Sequence, residues 1–178
     1  MGSNVRDSNY GAVVGYTMVG YNSNPHIESS LQYFKASSTY HPNAIGLSLR
    51  KYADYPDPWP EISLSIHDLL TDDLIAICSF PGLGLLDTFE YRLVVTSLTQ
   101  PTGLIQEGRD YYLLAESSHS GEGYLCVGKT ANVYATGYAS AQSGGLDAAW
   151  SSLPENDLVF EVRSEKLALG KFKVLGLI

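Results

Sequence analysis

The sequence predicts an all-β chain, an antiparallel β-sandwich of jelly-roll type. Three observations carry this. Apolar residues recur with period 2 in segment after segment, turn residues interrupt them at short intervals, and no stretch shows a helical period of normal length.

Each segment follows from its own residues. Tyr10 to Tyr21, with Gly15-Tyr16 and Gly20-Tyr21, is a strand-like run. Ile45, Leu47 and Leu49 alternate with Gly46, Ser48 and Arg50, and Ile62, Leu64 and Ile66 alternate with Ser63, Ser65 and His67. Both patterns give a strand one face for a core and one small or polar face. His67 to Ile75 is the best helical candidate, at one or two turns. Phe89 to Val95 sets Phe89, Tyr91, Leu93 and Val95 on one side, against Glu90 and Arg92. Further strands are expected at Tyr111 to Glu116, Tyr124 to Gly128, Val133 to Ala139 and Leu158 to Arg163. Turns are expected at Tyr55-Pro56-Asp57-Pro58, Pro81-Gly82, Gln100-Pro101-Thr102-Gly103, Gly121-Glu122-Gly123 and Ser143-Gly144-Gly145. Proline cannot donate to a ladder, and glycine supplies positive φ.

Composition sets the outer limits. A chain of 178 residues has the length of one domain and buries roughly 70% of its unfolded surface. Nineteen acidic against eleven basic residues give a net charge of −8, which repels a phosphate backbone, so nucleic acid is excluded as a partner. No segment is apolar for long enough to span a bilayer. Met1 to Tyr10 is polar with no apolar stretch behind it, so the expectation is either that an export signal has been removed or that the protein never used that route. Cys78 and Cys126 lie in strand-like segments and read as two small buried hydrophobes rather than a disulfide.

The loop 52–61 is the candidate ligand site. Tyr52, Tyr55 and Trp59 stand beside Asp54, Asp57 and Glu61 on a segment stiffened by Pro56, Pro58 and Pro60. Sugar recognition uses this combination, since C–H bonds stack on rings while carboxylates accept hydroxyl protons. A proline-rich loop folding its aromatics over the sandwich end accounts for the same residues and is the commoner arrangement. Asp54, Asp57 and Glu61 also invite a glycosidase reading, with one carboxyl as acid and one as base, but loop carboxylates are usually solvated and no second pair stands out elsewhere. The same carboxylates lack the oxygen spacing of a calcium loop, and Asp72-Asp73 reads as a solvated turn. His26, His41, His67 and His119 are scattered without zinc-ligand spacing, and Gly-x-Ser-x-Gly does not occur. No catalytic residue, metal or cofactor is assigned.

The order of motifs from Leu31 to Arg163 resembles the choice-of-anchor, or carbohydrate-binding-like, β-sandwich modules of secreted prokaryotic proteins and phage virion proteins. The residues that carry the likeness are Gln32, Phe34 and Ala36, the strands Ile45 to Lys51, Ile62 to Asp68 and Phe89 to Thr96, then Gly108, Tyr111, Tyr112, Leu113 and Leu114, the stretch Tyr124 to Trp150, and finally Asp157, Leu158 and Phe160. Asp68 to Phe80 departs from the pattern, and the tail after Arg163 lies outside it. The resemblance implies a jelly-roll-like sandwich in an extracellular or virion setting, with no shared catalytic set. It also implies that Trp150 packs just before the final core strand.

The resulting expectation is a single domain over residues 1–178 that assembles or attaches without catalysis: a virion decoration, fibre or baseplate-associated protein. Its partners would be other virion proteins, copies of itself or surface glycans. A carbohydrate-binding module of a secreted protein is the alternative, and a glycoside hydrolase a distant third. Two flanking pieces are expected to serve assembly. One is 10–21. The other is the tail, where Leu167, Leu169, Phe172, Val174, Leu175, Leu177 and Ile178 surround Lys171 and Lys173. An exposed strand of that kind is a template for edge pairing. It either docks on its own sheet or joins a neighbour's.

Overall fold

A computed structural model describes residues 3–22, 26–51, 61–81, 91–98, 103–117, 123–131, 139–144, 149–153 and 156–165. Among them there is no helix. Thirteen strands form: β1 Ser3–Asn9, β2 Gly15–Asn22, β3 His26–Lys35, β4 Pro42–Lys51, β5 Glu61–Asp68, β6 Leu74–Pro81, β7 Arg92–Ser97, β8 Asp110–Ser117, β9 Gly123–Ala131, β10 Ala139–Gly144, β11 Trp150–Leu153, β12 Asn156–Leu158 and β13 Phe160–Glu165.

All pairing is antiparallel, and one hydrogen-bonded path runs β1-β13-β4-β9-β2-β3-β8-β5-β6. Strand β7 branches from β4, β12 from β9, and the β10–β11 ladder from β3. The path closes on itself as a sandwich does, because β6 lies against β7 and β4. The period-2 patterns fall where expected. Ile45, Leu47, Leu49, Ile62, Leu64 and Ile66 are all buried in one apolar cluster with Phe34, Tyr111, Leu113 and Phe160. Each such side chain contributes about 1.5–3 kcal/mol.

Several local expectations need correction. Residues 67–75 hold no helical turn, because His67 and Asp68 complete β5 and Leu74 already begins β6. In β7 the core-facing residue is Val94, while Leu93 and Val95 are 40% and 37% exposed. The reason is register: Val94 stands opposite Leu47, which faces the core, whereas Val95 and Leu93 stand opposite Gly46 and Ser48. Ser143 and Gly144 extend β10 instead of turning. Trp150 sits on β11 and is 41% exposed, so it is not a core residue. Within 10–21, strand β2 pairs with β9 over Gly15–Tyr21 and meets β3 from Gly20 onward.

Buried polar residues fasten these strands. Gln32 and Asp157 are both fully buried. The Gln32 amide donates to Asp157 Oδ1 at 3.0 Å and to the Tyr33 carbonyl at 2.8 Å, and its oxygen accepts from Leu158 N–H at 2.7 Å. Phe34 packs on Phe160 and Tyr111 at ring separations of 5.7 and 5.8 Å. The first and last motifs of the chain thus meet as one stitch. A second stitch uses buried Asp7, beside the irregularity between Val5 and Asp7 in β1. Its carboxylate accepts from Ser37 N–H at 2.9 Å and the Tyr40 hydroxyl at 2.6 Å. Cys78 and Cys126 are buried free thiols, and burial pushes the Cys78 thiol up to about 12. Such a group is a packing atom, not a nucleophile.

Candidate interaction surface

The turn between β5 and β6 is held by a dense set of polar contacts. Asp68, only 3% exposed, anchors it. Its Oδ1 accepts from the backbone N–H of Leu70 at 2.9 Å and of Thr71 at 3.2 Å, while Oδ2 pairs with Arg109 Nη2 at 2.8 Å. Aspartate suits this place because its short carboxylate mimics a turn carbonyl for the amides that follow. The backbone closes the loop by Asp68 N to Asp73 O and Asp72 N to Asp68 O, with Asp72 in the left-handed region at φ 61°. The Asp72 carboxylate accepts from the Tyr112 hydroxyl. Burial first, then this hydrogen bond, pushes the Tyr112 phenol well above its ordinary value. The His67 ring stacks on Tyr112 at 4.8 Å with planes 2° apart, and its Nε2 lies 3.0 Å from Ser65 Oγ.

A neighbouring turn completes the frame. Gly108 adopts φ 78° and sends its N–H to Ala36 O, while Leu69 N–H reaches Asp110 O at 3.0 Å. Asp68, Leu69, Leu70, Gly108, Arg109 and Asp110 line an open cleft of about 410 Å³ between the two turns. Asp68 and the backbone bonds hold the turn in place, and the turn exposes leucines. Leu70 is 87% exposed, Leu74 53% and Leu69 45%. Asp72, Asp73, Glu107 and Asp110, on or beside the same two turns, are exposed as well. A lone exposed leucine is ordinary, but adjacent leucines on a fixed turn beside a cleft make this a candidate contact site.

The outward face of β4 carries a second cluster. Gly46 leaves room for Glu161, since a Cβ there would stand 2.8 Å from Glu161 Cγ. Glu161 is 1% exposed and accepts from the Tyr10 hydroxyl and Arg163 Nε. Burial and then Glu161 push the Tyr10 phenol up to about 12. Further along β4, the Arg50 guanidinium lies 5.5 Å from the Tyr16 ring centre and 5.1 Å from that of Tyr91, within cation–π range of both.

Of the six residues proposed for sugar binding, the structure places only Glu61, exposed at the start of β5. Tyr52, Asp54, Tyr55, Asp57 and Trp59 lie outside the described residues, as do all seven tail residues from Leu167 to Ile178. Among the described residues no three His, Cys, Asp or Glu side chains converge as a metal site, and no helix is long and apolar enough to cross a membrane. Sequence reasoning missed the leucine turn. Its available signal was Asp68 followed by two leucines and then Thr71-Asp72-Asp73, an aspartate-capped turn with an apolar tip. In comparisons with known proteins, no family model matches the chain and no curated protein sequence matches it significantly.

Proposed function

We propose that this chain is a non-enzymatic structural or surface protein of a virion, a decoration, fibre or baseplate-associated sandwich that works by assembly or attachment. The observation that carries this reading is the leucine turn: buried Asp68, Arg109 and the backbone of two turns are arranged to present Leu69, Leu70 and Leu74 to the outside. The buried polar side chains Asp7, Gln32 and Asp157 hold strands and loops together, an architectural use of groups that an enzyme would aim at a substrate. The likeness of the motif order to virion sandwich modules supports the setting. Partners are other virion proteins or further copies of the chain.

Sedimentation over a range of protein concentrations tests the contact. The wild-type chain should assemble with rising concentration, and the Leu69→Asp/Leu70→Asp variant should need at least about tenfold more protein to do so, a loss of about 1.4 kcal/mol. Mass spectrometry of purified particles tests the setting. A chain that stays monomeric throughout and is missing from particles sinks the proposal.

One observation favours the alternative, a carbohydrate-binding module of a secreted protein. Arg50, flanked by Tyr16 and Tyr91, sits next to Lys51, where β4 ends and the aromatic sequence 52–60 follows. Aromatic rings with a fixed cation are a sugar-compatible surface. Under this reading Trp59→Ala abolishes binding on a glycan array while the melting temperature stays nearly unchanged. A large loss of stability would instead make Trp59 a packing residue, at about 3–5 kcal/mol.

A further inference from the structure

We propose that the chain assembles head to tail, with the leucine turn of one copy seated on the Tyr16–Arg50–Tyr91 face of the next. This rests on the reading of the turn as a contact surface, and it names a second copy's face as the surface that receives it.

Strand alternation builds the face. Gly46, Ser48 and Arg50 alternate with the buried Ile45, Leu47 and Leu49, and so share the outward side of β4. Leu93 and Val95 of β7 stand opposite Ser48 and Gly46 and are 40% and 37% exposed. A Cβ on Gly128 would stand 3.3 Å from Tyr91 Cδ1 and 3.2 Å from Ser48 Oγ, so the Tyr91 ring lies close against the sheet. The Arg50 guanidinium lies within cation–π range of this ring and of Tyr16, which is 41% exposed. Stacking uses the flat faces of a guanidinium and not its in-plane N–H donors, which suit a carboxylate. Tyrosines and an arginine held among aliphatic side chains have the composition of an interface centre.

Charge selects how two copies meet. On the face, the described acid Glu161 is 1% exposed and held by Tyr10 and Arg163, so the charge turned outward is the arginine's. At the leucine end Arg109 and Lys35 are paired with Asp68 and Asp110, while Asp72, Asp73 and Glu107 are exposed. Turn against turn sets the acids of two copies together, and face against face sets Arg50 against Arg50. Like charges opposed across an interface disfavour both arrangements. Turn on face opposes acids to Arg50 and lays Leu70, 87% exposed, on the tyrosine rings with Leu93 and Val95 beside them. Turn and face lie on different strands, so each copy offers one of each. A contact of this kind repeats from copy to copy as a ring or a filament.

Mixing two variants of the full chain tests this. Leu69→Asp/Leu70→Asp spoils the turn and keeps the face, whereas Arg50→Glu spoils the face and keeps the turn. Each alone should need at least about tenfold more protein to assemble than the wild type. Mixed in equal amounts, they should form a one-to-one complex that grows no further, because one intact turn and one intact face remain between them. Sedimentation at a concentration where the wild type assembles reads both results. If thermal melts show Arg50→Glu unfolded, Tyr16→Glu at its exposed position takes its place. Undiminished assembly of the face variant would overturn the proposal, and so would a mixture that stays monomeric. If Leu69→Asp/Leu70→Asp still loses assembly in those cases, the turn remains a contact surface with a different partner. Undiminished assembly of Leu69→Asp/Leu70→Asp sinks that functional reading and this proposal with it. A wild-type chain that is monomeric at every concentration overturns the proposal alone, and mass spectrometry of particles then decides the functional reading.

Discussion

Two carboxylates in this molecule accept hydrogen bonds to opposite ends. Asp157 is fully buried and takes the amide of Gln32, joining the strand at the start of the core to the one at its close. Asp68 is nearly as buried, yet it takes the amides of Leu70 and Thr71 and so props a turn that points leucines into solvent. The first carboxylate ties β12 to β3, strands that share no ladder, because Gln32 meets Asp157, the Tyr33 carbonyl and Leu158 N–H together. The second specifies a local shape. Burial of a carboxylate therefore says little about function until the destination of its hydrogen bonds is known.

Of the two carboxylates, the interior stitch carries the larger expected effect. Gln32→Leu leaves the Asp157 carboxylate and Leu158 N–H without their buried partner, and should cost about 3 kcal/mol or more. Urea denaturation reads this as a lower midpoint at unchanged slope. Gln32→Glu tests whether the amide is specifically required, since a second carboxylate beside Asp157 adds repulsion and should be at least as harmful. If Gln32→Leu costs under about 0.5 kcal/mol, within the range of ordinary surface substitutions, the stitch is incidental to the fold.

An intermediate effect is expected at the turn. Asp68→Ala removes two backbone acceptor bonds and the Arg109 pair, yet the released amides lie near solvent and water can replace the lost acceptor. The cost should be about 1–2 kcal/mol. Amide exchange should rise selectively at Leu70 and Thr71 while core strands such as β4 stay protected. Uniform loss of protection across the sheet would show that the turn belongs to the global folding unit, and the comparison between the two carboxylates would dissolve.

Much of this architecture was legible in the sequence because it rests on local alternation. Ile45, Leu47 and Leu49, or Ile62, Leu64 and Ile66, have one apolar face whatever their partners are. The run Leu93-Val94-Val95 has two, so only its pairing with β4 decides that Val94 goes in. The turn at 68–73 was illegible for a related reason. A short helical turn and a tight hairpin both bond amides to acceptors a few residues back, as Asp72 N–H does here to Asp68 O. What separates them is Arg109 and Asp110, about forty residues away in sequence. Gln32 and Asp157 were visible as motif members, but nothing in one dimension showed that they touch.

The smallest expected effect sharpens the contrast most. Leu70→Asp alters a side chain that is 87% exposed, on a backbone held by Asp68 and not by the leucine itself. Its stability should match the wild type within about 0.5 kcal/mol. Ile66→Asp, four residues earlier on β5 and fully buried, would place a carboxylate in the core and should prevent folding altogether. A hydrophobic-to-acidic change on a single β-hairpin thus spans the whole range from none to complete loss. Thermal melts of the two variants, run beside the wild type, measure that span. If Leu70→Asp melts several degrees below the wild type, Leu70 is packed against something that stabilises the folded chain. The turn would then belong with Gln32 and Asp157 among the structural elements, and its exposed leucine would no longer mark a contact held open for a partner.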